Sequence, residues 1–222
     1  MRFPSLVIFD MDGLMFDTEE LAGIAWEKAG KHFGFEIDRS ITAQFVGMKN
    51  ESIIKSMIDI YGEEAPVLEW RKFMKARKHE LEDELMYKES FKKKGLISLL
   101  DYLKSEKILI AVASSSEKNI IDKFLKVSDT SKYIDYIVSG DEVVNGKPDP
   151  EVFLTACKKA DVSPDEAIVL EDSPAGINAA KSAEIPCFWV PDTVKETKEL
   201  SELATKVFSD LGEVELYLRS LS

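Results

Sequence analysis

An uncharged segment near the start of the chain, Leu6 to Phe9, runs directly into two aspartates and a glycine. Such a strand suits the middle of a parallel sheet that is buried on both faces, and ligands bind at the carboxyl ends of such strands. In extended geometry Asp10 and Asp12 point roughly the same way, and Gly13 allows a sharp turn. Paired carboxylates can hold Mg²⁺ or divide into a nucleophile and a proton carrier. The alternative is a strand end with a turn-forming aspartate and a helix cap.

The rest of the chain divides into a long helical stretch and a series in which helices alternate with strands. From about Glu19 to Lys94, apolar residues recur with helical spacing and strand signals are almost absent. From Gly95 onward, predicted helices alternate with predicted strands. The helices cover 96–103, 119–125, 151–159 and 175–182, and the strands cover 108–113, 136–138, 167–170 and 187–190. This alternation predicts an α/β fold with a doubly wound parallel sheet. We predict an α/β core from residues 1–18 and 95–222, interrupted by a helical cap from residues 19–94 that projects over the first strand's carboxyl end.

Composition narrows the kinds of partner. The net charge of −12 offers no positive surface to nucleic acid or to an anionic membrane. No apolar run approaches the ~20 residues of a membrane span, and the first residues lack the apolar region of a signal peptide. We therefore expect a cytoplasmic, globular protein that binds neither nucleic acid nor membrane. The two cysteines, Cys157 and Cys187, are far apart in apolar surroundings, which indicates buried thiols.

Polar residues also follow the later strands. Ser114-Ser115-Ser116 comes after strand 108–113, where hydroxyl and backbone N–H groups can bind an anion. A capping box formed by Ser114 and Glu117 explains the same serines.

A lysine is presented from a proline-stiffened turn, Gly146-Lys147-Pro148-Asp149-Pro150, in which Asp149 is the expected N-cap and Pro150 the first helical residue. A rigidly held ammonium suits both a phosphoryl group and a ring of carboxylates. The alternative is a solvated turn lysine.

Strand 167–170 ends in two more acids, Glu171 and Asp172. N-capping of the next helix by Asp172 or Ser173 is a second explanation, and it is compatible with the first. Several carboxylates at one sheet edge repel one another, and a hard divalent cation with oxygen ligands relieves that repulsion. The acids therefore predict Mg²⁺.

Four motifs, taken in order along the chain, resemble those of the haloacid dehalogenase superfamily, and the resemblance covers essentially the whole chain. They are Asp10-Met11-Asp12-Gly13, Ser114, Gly146-Lys147-Pro148-Asp149-Pro150 and Glu171-Asp172-Ser173, the last with Gly176 three residues on. The similarity is to the β-phosphoglucomutase and phosphatase-like branch, in which a helical cap lies between the first two motifs. The resemblance implies a Rossmann-like core. It also implies that Asp10 is the nucleophile, that Asp12 is the general acid and base, and that Ser114, with Ser115 beside it, and Lys147 bind the phosphoryl group.

The same resemblance implies a Mg²⁺ site made by Asp10, the backbone carbonyl of Asp12 and Asp172, with Glu171 as a ligand or a neighbour of the ligands. Thr18 and Glu19 keep the branch's linker pattern. Thr18, Glu19 and Lys49 are therefore candidate cap or substrate contacts, although a solvated lysine at a helix start explains Lys49 equally well. Four aromatic residues are assigned to the cap core instead: Trp26, Phe35, Phe45 and Trp70.

Two departures from the mutase bear on the reaction. β-Phosphoglucomutase has a histidine where Ala22 stands, and a cap arginine just after a glycine, whereas this chain reads Gly47-Met48-Lys49-Asn50. These differences favour a Mg²⁺-dependent phosphatase that hydrolyses a small phosphorylated metabolite, a sugar phosphate above all, through an aspartyl-phosphate intermediate. The alternatives are an intramolecular phosphotransferase of the mutase kind and a non-catalytic binding module. A monomer or weak homodimer is expected.

Overall fold

The computed structural model describes residues 3–45, 48, 50–86, 91–194 and 196–221, without the side chains of residues 19, 20, 43, 85 and 86. Its six strands form one parallel sheet in the order β3-β2-β1-β4-β5-β6. The strands are β1 (Leu6–Phe9), β2 (Leu109–Ala113), β3 (Tyr136–Val138), β4 (Ala167–Glu171), β5 (Cys187–Trp189) and β6 (Lys206–Val207). The predicted α/β fold with a parallel sheet is confirmed.

In the part of the chain that the structure describes, β1 is followed by four α-helices before helices and strands begin to alternate: α1 (Glu19–Phe33), α2 (Arg39–Thr42), α3 (Asn50–Tyr61) and α4 (Val67–Met86). The helices that follow are α5 (Leu96–Ser105), α6 (Lys118–Val127), α7 (Glu151–Ala160), α8 (Pro174–Ser182), α9 (Lys198–Leu203) and α10 (Leu211–Arg219). Within the described ranges, none of these helices is both long enough and apolar enough to cross a bilayer. The predicted helices and strands are all present, and most of their ends lie within one or two residues of the predicted positions.

The start of α7 differs from its prediction by one residue. Pro150 is the N-cap and Glu151 the first helical residue, so the prediction of Asp149 as N-cap was wrong. Asp149 Oδ1 instead accepts a hydrogen bond from the backbone N–H of Glu151, at 3.0 Å. The aspartate still satisfies a donor at the helix start, but it does so from one position further back.

Alternating residues of β1 place the sheet between two apolar clusters. Val7 and Phe9 pack with residues of α5, α6 and α10, whereas Leu6 and Ile8 pack with residues of α7 and α8. All four side chains are fully buried. Because both faces are buried, an uncharged segment forms this strand, which lies inside the sheet between two layers of helices.

A third apolar cluster lies apart from the sheet, within α1, α3, α4 and the short 3₁₀ turn at Ala43–Phe45. Trp26, Phe45 and Trp70 are buried in it, and Phe35 packs at its edge, as the sequence predicted. Its own cluster gives the helical segment a core independent of the sheet. The boundaries proposed for the cap, residues 19 and 94, remain a prediction.

Candidate active site

The register of the sheet brings the motifs to one edge. Phe9 lies opposite Val112 and Leu170, so the residues that follow these three strands emerge side by side. Gly13 adopts a φ of +85°, a conformation that glycine reaches without a Cβ clash. Its N–H donates to the carbonyl of Phe16 at 2.9 Å. This tight turn keeps Asp12 close to the strand end.

A buried ion-pair cluster joins Asp10, Lys147 and Glu171. Lys147 Nζ lies 2.5 Å from Asp10 Oδ1 and 2.5 Å from Glu171 Oε1. Only 1% of the Lys147 side chain is exposed, which excludes the solvated turn lysine. Burial alone would lower the pKa of Lys147, but the two carboxylates outweigh burial and raise it. Lys147 is therefore a permanent positive charge at the floor of the site.

Both carboxylate oxygens of Glu171 are already engaged. Oε1 receives Lys147, and Oε2 accepts from the backbone N–H groups of Asp172 and Ser173, each at 2.9 Å, and from Ser173 Oγ at 3.0 Å. A Cβ on Gly176 would lie 1.7 Å from Oε1, so only glycine fits beneath this side chain. The helix cap is Ser173, whose Oγ accepts from the N–H of Gly176. Glu171 is thus fixed in position by α8.

Asp10 is a carboxylate in an environment that resists its charge. Burial raises its pKa well above the ordinary value, Lys147 acts in the opposite direction, and the neighbouring carboxylates of Glu171 and Asp12 raise it further. The cluster has two acids facing one ammonium, so it holds more negative charge than Lys147 can offset. A second cation near Asp10 would favour its ionised, nucleophilic form.

Asp12 has the opposite electrostatic environment. Burial alone would raise its pKa, but Lys78 and the hydroxyls of Ser116 and Thr18 outweigh burial, and the pKa lies below its ordinary value. Thr18 Oγ1 donates to Oδ1 at 2.9 Å, Ser116 Oγ donates to Oδ2 at 2.7 Å, and Lys78 Nζ lies 3.4 Å from Oδ1. Two neighbouring aspartates therefore have pKa values displaced in opposite directions, which is typical of acid and base pairs in enzymes.

Removing the Lys78 ammonium should raise the pKa of Asp12. We expect Lys78→Met to do so because the burial that remains favours the neutral acid. A carboxyl-carbon NMR titration, with Asp12 assigned by its loss in Asp12→Asn, measures the change. Since folding lowers this pKa, ionised Asp12 stabilises the fold above its unfolded pKa of about 3.9, and that contribution is lost as the pH falls through the folded pKa. The Lys78→Met variant should lose much of this contribution of ionised Asp12 to the stability of the fold.

Lys75→Met is the matched control on the same helix, because Lys75 pairs with Glu117 at 3.8 Å and does not contact Asp12. The control should leave the titration of Asp12 unchanged. An unchanged pKa of Asp12 in Lys78→Met would contradict the assignment of Lys78 as its electrostatic partner.

Ser114 faces the site. The capping-box explanation is wrong, because α6 begins at Lys118, with Glu117 as an N-cap that makes no side-chain cap bond. Ser114 Oγ accepts from the N–H of Ser116 at 3.0 Å and donates to Asp12 Oδ2 at 3.4 Å. Ser115 is exposed and lines the cavity above the site.

The candidate cap residues have different outcomes. The structure brings Thr18 into the site, fully buried against Asp12. Glu19 begins α1, but its side chain, like the whole of Lys49, lies outside the described residues. Sequence reasoning missed Ser116 and Lys78. Ser116 was part of the serine run already noted, whereas nothing in the sequence distinguishes Lys78 among the charged residues of α4.

These residues surround a cavity of about 320 Å³ between the sheet edge and the helical segment. The sheet side contributes carboxylates and hydroxyls, including Asp10, Asp12, Ser114 and Asp172. The helical side contributes apolar residues and three cations: Arg39, Arg71 and Lys78. A cavity of this size fits a small metabolite.

The donor set suits a hard divalent cation. Asp10 and Glu171 contact the ammonium group of Lys147, Asp12 contacts that of Lys78, and Asp172 lines the same cavity. Lys78 also pairs with Glu82, so the carboxylates outnumber the two ammonium groups. Oxygen ligands and this charge are what Mg²⁺ requires. In the described part of the chain, no three acidic, histidine or cysteine side chains form a ready-made metal cluster. A site here would therefore need main-chain or substrate oxygens as well.

Comparison with known proteins defines the class of protein to which this chain belongs. Residues 7–190 match the family model described as haloacid dehalogenase-like hydrolase, and the chain belongs to this family. The matched region begins in β1 and ends just past β5, so it spans every site motif. The predicted superfamily is confirmed.

Individual relatives include both predicted reaction types. The chain is 33% identical to the phosphorylated carbohydrates phosphatase of Thermotoga maritima, over 88% of this chain and 89% of the relative. It is also 33% identical to β-phosphoglucomutase of Bacillus subtilis, over 80% of this chain and 79% of the relative. The crystal structure of β-phosphoglucomutase from Clostridium difficile has a TM-score of 0.82 at 26% identity, covering 100% of this chain and 97% of that one. The prediction of an enzyme in this family is confirmed.

Proposed function

We propose that the protein is a Mg²⁺-dependent phosphatase of a small phosphorylated metabolite, with a sugar phosphate as the favoured class. The observation that carries this proposal is that two neighbouring aspartates have pKa values shifted in opposite directions. Asp10 lies against Lys147 with a raised pKa, and Asp12 lies among hydroxyl and ammonium donors with a lowered one. Relatives named as phosphatases of phosphorylated carbohydrates and as β-phosphoglucomutase support the substrate class.

In the first step, an Asp10 carboxylate oxygen attacks phosphorus, and the bond from phosphorus to the leaving oxygen breaks. The leaving oxygen takes a proton from Asp12. A bound phosphate dianion close to Asp12 would raise its pKa and so favour the protonated form that this step needs. In the second step, water attacks the aspartyl-phosphate, gives its proton to Asp12, and releases inorganic phosphate with Asp10 restored.

Lys147 and Ser114 are proposed to bind the phosphoryl oxygens. Asp10, Asp172 and the Asp12 carbonyl are proposed to hold Mg²⁺, which when bound supplies the positive charge that lets one anion approach another. Glu171, with both oxygens engaged, is proposed to position Lys147. Thr18 is proposed to orient Asp12 through its 2.9 Å hydrogen bond.

An intramolecular phosphotransferase is the second candidate. The mutase has a cap arginine just after a glycine, where this chain reads Gly47-Met48-Lys49-Asn50 without an arginine. Arg71 of α4 offers a guanidinium near that position, since its Nε donates to Asn50 Oδ1 at 2.8 Å. The phosphatase remains the first candidate because Ala22, where the mutase has a histidine, lines the cavity and offers no proton-carrying group.

Phosphate release from a panel of sugar phosphates, nucleotides and other small phosphomonoesters tests the proposal. We expect turnover of one compound class with Mg²⁺, at least 10³-fold lower turnover after chelation, and recovery when Mg²⁺ is added back. β-Glucose 1-phosphate should also be assayed for isomerisation. Isomerisation without phosphate release would establish the phosphotransferase, whereas Mg²⁺-independent release would contradict the metal assignment.

A further inference from the structure

Trp189 is the last residue of β5, and its indole ring is fully buried next to the end of β4. The two strands pair as far as Glu171, which lies opposite Trp189, and the N–H of Val190 donates to the carbonyl of Glu171 at 2.8 Å. Asp172 comes one residue later, where the chain has left β4 and approaches the start of α8. Its main chain is buried there and needs partners other than a neighbouring strand.

The indole of Trp189 supplies one of these partners. Its Nε1 donates to the carbonyl of Asp172 at 2.9 Å. At the other end of the same residue, the N–H of Asp172 donates to Glu171 Oε2, also at 2.9 Å. Both polar groups of the Asp172 main chain are thus held by fully buried side chains, and the torsion angles of its own side chain are the main freedom left to it.

Burial alone does not explain this bond. Trp70 is also fully buried, in the apolar cluster of the helical segment, and its Nε1 has no hydrogen-bond partner among the residues that the structure describes. The fold therefore tolerates an indole N–H that is buried in apolar surroundings. Trp189 differs in the residue that it meets, because Asp172 lines the cavity and is proposed to hold Mg²⁺.

We propose that Trp189 is a positioning residue, which fixes the main chain of Asp172 so that its carboxylate is preset for Mg²⁺. This inference rests on the proposed function, in which Asp172 is a metal ligand. A ligand that is already fixed loses less freedom when the ion binds, so the affinity for the ion is higher. Trp189 acts through Asp172 and is not proposed to touch the ion or the substrate.

The affinity of the metal-free protein for Mg²⁺, measured by calorimetry, tests the inference without any turnover. We expect Trp189→Phe to weaken binding by about 10-fold, because phenylalanine fills most of the space but has no N–H to donate. Phosphate release at saturating Mg²⁺ should stay within about 3-fold of the parent, since excess ion fills the weakened site. A loss of turnover that excess Mg²⁺ does not restore would overturn the positioning role in favour of a structural one.

Trp70→Phe is the matched control, since it makes the same change at a buried tryptophan whose N–H makes no hydrogen bond to the described residues. Its affinity for Mg²⁺ should equal that of the parent. Unchanged affinity in Trp189→Phe, or an equal loss in both variants, would overturn the inference. A parent that binds Mg²⁺ but releases no phosphate would overturn the phosphatase alone, whereas a parent that binds no Mg²⁺ would overturn the metal assignment and the inference together.

Incorporation of benzothienylalanine at position 189 decides the question if Trp189→Phe does not fold. This amino acid keeps the shape of the indole and has sulfur in place of the N–H, so it removes the hydrogen bond with little change in packing. We expect the same weakening of Mg²⁺ binding. Parental affinity for Mg²⁺ with this amino acid in place would overturn the inference.

Discussion

Replacing Lys147 with methionine should destabilise the protein by about 3–5 kcal/mol and abolish turnover. The substitution leaves the carboxylates of Asp10 and Glu171 facing each other in a buried site that methionine can fill but cannot neutralise. Urea denaturation in metal-free buffer measures the loss of stability. Because burial favours the neutral form of Asp10, this carboxylate can take up a proton, and the difference from the parent should narrow as the pH is lowered.

Lys132→Met is the control for this prediction. Lys132 pairs with Asp129 on the surface, where both side chains are more than half exposed, so the free energy of unfolding should not change measurably. If Lys147→Met were as stable as Lys132→Met, the buried cluster would not be a structural element of the protein.

Asp10→Asn should reduce turnover by about 10⁴-fold or more, because the amide cannot act as the nucleophile. The same change should raise the unfolding midpoint in metal-free buffer at neutral pH. Folding raises the pKa of Asp10, so its neutral form is favoured in the folded protein and its ionised form opposes folding above that raised pKa. Asparagine removes the charge and can still accept from Lys147.

The gain in stability should disappear as the pH falls below the unfolded pKa of about 3.9, where the parent is also neutral at this position. Asp122→Asn is the control, since Asp122 is an exposed carboxylate on α6 paired with Lys118. Phosphate release at the parental rate from Asp10→Asn would assign the nucleophile to another residue.

The sheet and the residues at its edge could be predicted from the sequence for one physical reason. A strand buried on both faces, such as Leu6–Phe9, must be uncharged, so the first acid after it marks the strand end. A similar pattern recurs in β4, where an uncharged run ends in Glu171 as the last residue of the strand, and parallel pairing then brings the ends of β1 and β4 together. Local composition and topology were sufficient here.

The helical wall of the cavity could not be predicted in the same way. Lys78 and Arg71 lie on α4, among many charged residues of the same kind, and helical spacing shows which face is buried but not which cation meets a distant acid. The contact between Lys78 and Asp12 joins residues 66 positions apart. Similarly, the link from Arg71 to Asn50 depends on how α3 and α4 cross, which no local pattern encodes.

The separate apolar cluster of the helical segment has a consequence for how such proteins diversify. Trp26, Phe45 and Met74 pack within this segment and also line the cavity, so they can be exchanged without disturbing the packing on either face of the sheet. Substitutions in the two regions should have additive effects on stability. A lineage with this architecture can therefore acquire a new substrate in small steps while its reaction chemistry is inherited intact.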